Sequence, residues 1–267
     1  MDDPLAPLLA ELLERKHCDF RGYARPSLER GVERARAALG VASVDELAAL
    51  VCRDPAALTT MARALTTSVS ELFRDPSYFR AWRDEVMPLL ATYPSIRVWV
   101  AGCGAGEEAY SIAVILAEAG LLDRALVYAT DIDEHALAVA ASGAYPAERL
   151  PAFERNYRAA GGRARLSDHV RIDGATLHFD AHLRARVSCS EHSLSTDGAF
   201  AEVHAVSCRN VLIYFARELR DRALALFLDA LCPRGVLGLG ATESLALSEH
   251  GGRFHPFVAA ERLYRRA

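Results

Sequence analysis

One segment restricts the folds open to this chain more than any other: a β-rich run that ends in closely spaced glycines and leads straight into a helical pattern. Residues 96–101 form the run, Gly102, Gly104 and Gly106 follow it, and the helical pattern begins at Glu107. Glycine allows a tight backbone turn and lets a ligand approach the main chain. A strand, a glycine turn and a helix in this order are typical of the first βα unit of a parallel sheet that binds a nucleotide.

A second strand pattern supports this interpretation. Residues 126–129 are apolar or aromatic, and an acidic residue, Asp131, follows shortly after them. An acid at the end of the second strand can accept hydrogen bonds from both hydroxyls of a ribose that lies across the edge of the sheet. The glycine turn and Asp131 together predict a nucleoside-type ligand.

The spacing of the glycines helps to identify the nucleoside. The dinucleotide fingerprint is GxGxxG, whereas Gly106 comes one residue early. Glu107 and Glu108 occupy the helix N-terminus, where they would repel a pyrophosphate, although acids at this position also complement the helix dipole. The spacing therefore argues against NAD. The acids are compatible with S-adenosylmethionine, which has no phosphate and carries a sulfonium and an ammonium group.

Helical and strand patterns divide the chain into two parts. Residues 1–90 show helical periodicity only, so we predict an N-terminal helical domain there and an α/β domain at 91–267. Within the second part, strand patterns at 201–207 and 236–240 are separated by a helical pattern at 217–231. This alternation predicts a parallel sheet with helices on both faces.

The alternation stops between about residues 150 and 188. Three short runs there, at 169–172, 176–179 and 186–189, are typical of antiparallel strands, with a turn at Asp173-Gly174 between the first two. We therefore predict a small antiparallel β subdomain inserted into the α/β domain.

The composition is that of an ordinary globular protein, with 51% hydrophobic and 25% charged residues. A net charge of −4 speaks against a general attraction to nucleic acid or to an anionic membrane. Six scattered cysteines without a CxxC pair predict neither disulfides nor a metal site. No apolar run approaches the roughly 20 residues of a membrane-spanning helix, and the N-terminus lacks a basic leader pattern. We expect a cytoplasmic protein that holds no metal and does not insert into a membrane.

Four motifs resemble those of the CheR-type chemotaxis receptor methyltransferases, and they occur in that family's order. They are residues 70–75, the glycine turn with its helix at 98–111, residues 128–133, and the run CRNVLIYF at 208–215, which is the most specific. The resemblance covers about residues 20–265. It implies a Rossmann-like S-adenosylmethionine-dependent methyltransferase domain with a small all-helical N-terminal domain and an inserted antiparallel β subdomain.

The resemblance also implies an activity and a partner. Members of that family transfer a methyl group from S-adenosylmethionine to glutamate side chains of chemoreceptors, the methyl-accepting chemotaxis proteins, and release S-adenosylhomocysteine. The partner implied is the cytoplasmic domain of a chemoreceptor, whose C-terminal tail docks on the inserted strands in some members. We expect a monomer. Because glutamate is already ionised at neutral pH, the transfer needs no general base.

Roles for individual residues follow from the same resemblance. Arg74 and Tyr214 would be catalytic, with Arg74 beside the incoming carboxylate and Tyr214 near the transferring methyl group. The implied cofactor-binding residues are Ser68, Ser70, Arg74, Gly102, Gly104, Gly106, Glu107, Asp131, Ser193, Leu194, Asn210 and Val211.

Some positions depart from the family's pattern. Ser68 and Ser70 stand where the family usually has Asn and Thr, and Ser193 stands where it has Asn. Two alternatives follow. The chain could be a degenerate relative that binds S-adenosylmethionine or S-adenosylhomocysteine as a sensor, or a methyltransferase that acts on a different protein or on a small acid.

Overall fold

Four helices open the chain in the computed structural model, which describes residues 3–66, 70–246 and 248–267. They are α1 (Ala6–Lys16), α2 (Arg25–Leu39), α3 (Val44–Arg53) and α4 (Pro55–Leu65). Proline occupies the first turn of α1, α2 and α4, where a missing N–H costs little. The Ser43 and Asp54 side chains accept backbone N–H groups at the starts of α3 and α4. The apolar faces of these helices share a core of their own.

Seven more α-helices lie in the described residues after this unit. They are α5 (Pro76–Ala81), α6 (Met87–Leu90), α7 (Glu107–Glu118), α8 (Glu134–Ser142), α9 (Leu150–Ala159), α10 (Ala181–Arg184) and α11 (Arg217–Ala230). A π-helical stretch, Trp82–Val86, joins α5 to α6. Side chains of α5 and α6 belong to the core that surrounds α7, not to that of the first four helices. The division of the chain near residue 90 stays a prediction.

The described residues form ten strands in two sheets. The strands are β1 (Ile96–Ala101), β2 (Ala125–Asp131), β3 (Ala144–Pro146), β4 (Val170–Asp173), β5 (Thr176–Phe179), β6 (Val187–Glu191), β7 (Val203–Cys208), β8 (Leu231–Leu239), β9 (Phe254–Val258) and β10 (Leu263–Arg266). The main sheet has the order β6-β2-β1-β7-β8-β10-β9. Its first five strands run parallel, and β10 runs antiparallel to both neighbours.

The main sheet is the predicted Rossmann-like sheet. β1 lies between β2 and β7. The connection after β1 leads to β2 on one side of it, and the chain later forms β7 on the other side. A crevice forms at such a point, beyond the carboxyl ends of the strands. β7 is buried along its whole length, as expected for a central parallel strand covered on both faces.

The inserted antiparallel sheet is present, with the order β3-β5-β4. Two of its strands, β4 and β5, were predicted, but the third prediction was wrong. Val187–Glu191 pairs in parallel with β2 and forms an edge of the main sheet, and Ala144–Pro146 supplies the third strand of the insertion. The prediction failed because β6 is an edge strand without fully buried residues. Its sequence therefore lacks the continuous apolar run that identifies a central parallel strand.

Two further properties bear on the sequence expectations. All six cysteines carry free thiols. Within the described residues, no helix is both long and apolar enough to cross a membrane.

Candidate functional site

A cavity of about 260 Å³ lies at the carboxyl edge of the parallel strands. Loops that follow β1, β2, β6 and β7 form much of its wall, and the N-terminal part of the chain contributes the rest. Ten of the residues predicted for the site line it: Ser70, Arg74, Gly102, Gly104, Asp131, Ser193, Leu194, Asn210, Val211 and Tyr214. Residues from five separate stretches of sequence thus meet where open α/β sheets bind ligands.

Three other predicted residues are not in the described wall. Ser68 lies outside the described residues. Gly106 packs behind the cavity against α8, where an added Cβ would lie 2.7 Å from the Ala140 Cβ. Glu107 is buried, and its Oε1 accepts a hydrogen bond from Arg149 Nη1 at 2.7 Å. Its Oε2 is buried without a hydrogen-bond partner. Burial raises the pKa of Glu107, although Arg149 opposes the shift.

The glycine turn after β1 needs its glycines for two reasons. Gly102, Gly104 and Gly106 have φ values of 72°, 53° and 91°, in the left-handed region that other residues rarely adopt. A Cβ on Gly102 would lie 2.4 Å from Val211 Cγ2. The loops after β1 and β7 therefore approach each other at the cavity wall as closely as glycine permits.

Asp131 is the last residue of β2, and its side chain holds the glycine turn in place. Its Oδ2 accepts the Gly104 N–H at 2.8 Å, and its Oδ1 accepts the N–H groups of Ile132 and Asp133 at 2.8 and 3.0 Å. Burial raises the pKa of Asp131, and these N–H groups oppose the shift. A carboxylate offers about four lone-pair positions, so Asp131 retains acceptor capacity for a ligand hydroxyl.

Asn210 and Val211 are positioned by a buried acid that the sequence analysis missed. Glu243 is 4% exposed, and its Oε2 accepts the N–H groups of Asn210 and Gly240 at 3.0 and 2.6 Å. Its Oε1 accepts those of Val211 and Leu212 at 2.9 and 2.8 Å. Three of these four N–H groups belong to the loop after β7, in which Asn210 has a φ of 60°, so the carboxylate ties this loop to the end of β8. An acid four residues past the buried strand β8 was the only sequence signal for this role.

The loop after β6 forms the opposite part of the wall. Ser193 and Leu194 are buried there, and the Ser193 N–H donates to Asp197 Oδ2 at 2.9 Å. His192 also lines the cavity; its Nε2 lies 3.0 Å from the Gly198 carbonyl, whereas its Nδ1 is buried without a partner. No role for His192 was predicted from the sequence.

The two residues with predicted catalytic roles face the cavity from different parts of the chain. Arg74 lies between Phe73 (φ 53°) and Asp75 (φ 57°), two non-glycine residues in the left-handed region. Each such residue costs about 1–3 kcal/mol and persists only where the surrounding structure enforces it. Tyr214 ends a 3₁₀ turn, Leu212–Tyr214, and its carbonyl accepts the Ala24 N–H at 2.8 Å.

The N-terminal unit is attached at the same place. Tyr23 and Phe215 form an isolated antiparallel bridge, and their rings pack edge to face at 5.0 Å. The Ala216 N–H donates to the Gly22 carbonyl at 2.9 Å. These contacts bring Tyr23 into the cavity wall beside Tyr214, so both units contribute to the site.

Arg209 and Glu108 also line the wall; the sequence pattern indicated Glu108 only as an acid at the start of a helix and no role for Arg209. Arg209 Nη1 lies 2.9 Å from Glu108 Oε2, and the Arg209 side chain is 1% exposed. A buried charged pair in a cavity wall is unusual for residues without a role. The sequence signal for Arg209 was a charged residue directly after the buried strand β7.

The wall offers polar groups to a nucleoside cofactor, namely the glycine main chain and the Asp131 carboxylate. Both acids in the first turn of α7 are paired with an arginine, Glu107 with Arg149 and Glu108 with Arg209. Their charges are therefore compensated, and the predicted repulsion of a phosphate has no support in this geometry. Among the described residues, no group of three or more His, Cys, Asp or Glu side chains is placed to hold a metal ion.

Comparisons with known proteins agree with this geometry. Residues 5–66 match the all-alpha domain of CheR methyltransferases, and residues 68–258 match the S-adenosylmethionine-binding domain of the same family. Cher3 of Pseudomonas putida KT2440 is 44% identical over 261 residues, which are 97% of this chain and 96% of Cher3. Chemotaxis protein methyltransferase 2 of Pseudomonas aeruginosa is 32% identical over 209 residues, 74% of this chain and 71% of that protein. An uncharacterized 104.1 kDa protein of Rhodobacter capsulatus is 31% identical over 243 residues, which are 85% of this chain and 24% of that protein.

Proposed function

Because the chain belongs to the CheR methyltransferase family, we propose that it methylates glutamate side chains of a chemoreceptor and so forms glutamyl methyl esters in sensory adaptation. The chain is an S-adenosylmethionine-dependent methyltransferase. A relative from Pseudomonas aeruginosa carries the name chemotaxis protein methyltransferase. One observation carries the proposal: Arg74 and Tyr214 line the same cavity as the glycine turn and Asp131.

The cofactor would be held by residues around the first strands. Asp131 would accept a ribose hydroxyl, and the main chain at Gly102 and Gly104 would lie against the nucleoside. Ser193 and Leu194 would border the adenine, and Asn210 and Val211 would line the pocket, where Glu243 fixes their main chain. Because the Ser70 side chain is shorter than the family's usual residue, its cofactor contacts would be lost or bridged by water.

Glu107 would contribute from behind the glycine turn. Its Oε2 is buried without a hydrogen-bond partner, and Glu107 would act on the cofactor by supporting the start of α7 next to the turn. Arg149 holds the other oxygen and thereby fixes the direction of the carboxylate. The role of Ser68 stays a prediction from the resemblance.

S-adenosylmethionine supplies an electrophilic methyl group on a sulfonium, so the protein has only to place a nucleophile in line with it. The acceptor glutamate, with a pKa of about 4.3 in solution, is ionised at neutral pH and needs no base. Arg74 would hold its carboxylate by charge-assisted hydrogen bonds, and the Tyr214 hydroxyl would orient the reacting groups. The cavity would remove water from the carboxylate, and alignment would supply most of the rate enhancement.

Incubation with methyl-labelled S-adenosylmethionine and receptor-bearing membranes tests the function. We expect label on the receptor that base releases as methanol, and loss of most of it with Arg74→Ala. Arg124→Ala is the matched control, because Arg124 precedes β2 at the opposite edge of the sheet. Cofactor binding without transfer would contradict the proposal and favour a sensor. Transfer to other acceptors alone would contradict the receptor as substrate.

The location and the assembly stay predictions. The sequence predicts a cytoplasmic monomer, which suits an enzyme that acts on the cytoplasmic domain of a receptor. Gel filtration with light scattering would measure the mass in solution.

A further inference from the structure

Arg209 joins three segments that are distant in the sequence. Its Nη2 lies 2.6 Å from Asp75 Oδ2, and its Nη1 lies 2.9 Å from Glu108 Oε2. Asp75 precedes α5, Glu108 belongs to the first turn of α7, and Arg209 follows β7. Two carboxylates thus compensate one guanidinium that is 1% exposed, which satisfies the condition under which a buried charge is tolerated.

The same guanidinium holds the main chain of Arg74. Arg209 Nη2 donates to the Arg74 carbonyl at 3.1 Å, next to the Asp75 side chain that it also binds. On the other side of the turn, the Phe73 N–H donates to Ser111 Oγ of α7 at 2.8 Å. The two left-handed residues that flank Arg74 are therefore fixed from both sides.

The partners of Arg209 are themselves fixed. Ser207 Oγ donates to Glu108 Oε1 at 2.6 Å, and the Tyr78 hydroxyl lies 2.6 Å from the same Ser207 oxygen. The Arg209 guanidinium also stacks 4.1 Å from the centre of the Tyr78 ring. This arrangement uses the planar fork of arginine, which a lysine ammonium cannot reproduce.

We propose that Arg209, together with Glu108, is a positioning residue for methyl transfer: it holds the strained turn that presents Arg74 to the cavity. The inference rests on the proposed function, in which Arg74 binds the acceptor carboxylate. Although Arg209 borders the cavity, its side chain is almost fully buried, so it acts through Arg74.

Arg209→Lys tests the proposal with two kinds of measurement. We expect kcat for receptor methylation to fall about 10- to 100-fold, the range typical of a misplaced catalytic group. The Kd for S-adenosylhomocysteine should rise much less than kcat falls, because the Asp131 and glycine contacts are untouched even if a contact from Arg74 is weakened. Amide hydrogen exchange of residues 71–78 should accelerate in the variant. The control Arg124→Lys also alters an arginine that binds main-chain carbonyls, and it should change none of these three quantities.

A double-variant cycle separates positioning from a general loss of structure. If Arg209 acts through Arg74, Arg209→Lys should lower kcat much less in an Arg74→Ala background than in the wild type. Independent, multiplicative losses would overturn the proposal, as would a fall in S-adenosylhomocysteine affinity equal to the fall in kcat. Glu108→Gln, which keeps the side-chain shape, is the second variant if Arg209→Lys does not fold.

Amide exchange also distinguishes this proposal from the proposed function. Unchanged exchange at residues 71–78 in Arg209→Lys would overturn the positioning role, whatever the activity. If exchange accelerates in Arg209→Lys but the wild-type protein methylates no receptor glutamate, the role of Arg209 in holding the turn is supported. The proposed function is then contradicted.

Discussion

Asp131 is the residue whose position most directly supports a nucleoside site. It lies at the end of β2, it holds the Gly104 N–H, and its side chain lines the cavity. Both its type and its place were predictable, because an acid after the second strand is a local sequence feature.

Replacement of Asp131 by alanine should weaken S-adenosylhomocysteine binding by about 1–3 kcal/mol, since a ribose hydroxyl loses a charged acceptor. Isothermal titration calorimetry measures the change. Asp123→Ala is a suitable control because the Asp123 side chain is 84% exposed. An unchanged Kd in folded Asp131→Ala protein would contradict the ribose assignment.

Binding should also depend on pH through the same side chain. The pKa of Asp131 is raised above its ordinary value of 3.8, mainly by burial. A raised pKa means that Asp131 takes up its proton at a higher pH than an exposed aspartate, and the neutral form is a weaker acceptor. We therefore expect S-adenosylhomocysteine affinity to fall on acidification, at a higher pH than the titration of an exposed aspartate would give. Asp131→Asn should lack this part of the profile, and identical profiles would refute the assignment.

Gly102 offers a test with a matched control elsewhere in the chain. Gly102→Ala places a Cβ 2.4 Å from Val211 Cγ2 and should abolish measurable S-adenosylhomocysteine binding. Gly120 has nearly the same φ, 68°, but an added Cβ meets nothing within 4 Å. Gly120→Ala should therefore cost some stability and leave Kd unchanged. An unchanged Kd in folded Gly102→Ala protein would contradict the role of the close approach to Val211 in shaping the cavity.

Arg209 and Glu243 show where sequence reasoning stops at this scale. Glu243 binds the Asn210 N–H from 33 residues away, and Arg209 binds Asp75 from 134 residues away. Neither partner is recognisable from local spacing. The pairing of β7 with β8 brings Glu243 to Asn210, whereas Asp75 reaches Arg209 from the start of α5. Local motifs predicted ten of the residues that line the cavity; the buried residues that hold them follow only from the tertiary structure.

At the scale of elements, the same distinction holds. The glycine turn, β1, β2 and α8 follow local patterns and were predictable from them. β6 was assigned to the wrong sheet, because an edge strand with few buried residues carries little information about its partner. The strand at Ala144–Pro146 has only three residues and gives no periodicity to read.

The insertion carries a prediction about the receptor tail. β4 is an edge strand of the small sheet, and its Ile172 is 53% exposed. An extended peptide could add to such an edge. If a tail docks there, Ile172→Asp should slow methylation of tail-bearing receptors several-fold and leave tail-less receptors unaffected, as measured by initial rates at low receptor concentration. If Ile172→Asp changes the methylation rate of tail-bearing and tail-less receptors by the same factor, docking at this edge is excluded.

At the scale of the whole molecule, the helical unit and the α/β unit keep separate cores but share one site. Tyr23 reaches the cavity wall through its bridge to Phe215. The parallel sheet positions the cofactor-binding loops, and Glu243 fixes the one after β7. Arg209 holds the turn of Arg74, which would meet the acceptor. This arrangement accounts for a methyltransferase that needs alignment more than acid–base chemistry.

Mass spectrometry of a chemoreceptor after incubation with the protein and S-adenosylmethionine tests the central claim most directly. The account predicts one added methyl group on each of a few glutamate side chains, removed by mild base and absent with Arg74→Ala. Methyl groups on other residue types, or none on a receptor while S-adenosylhomocysteine binds normally, would contradict it.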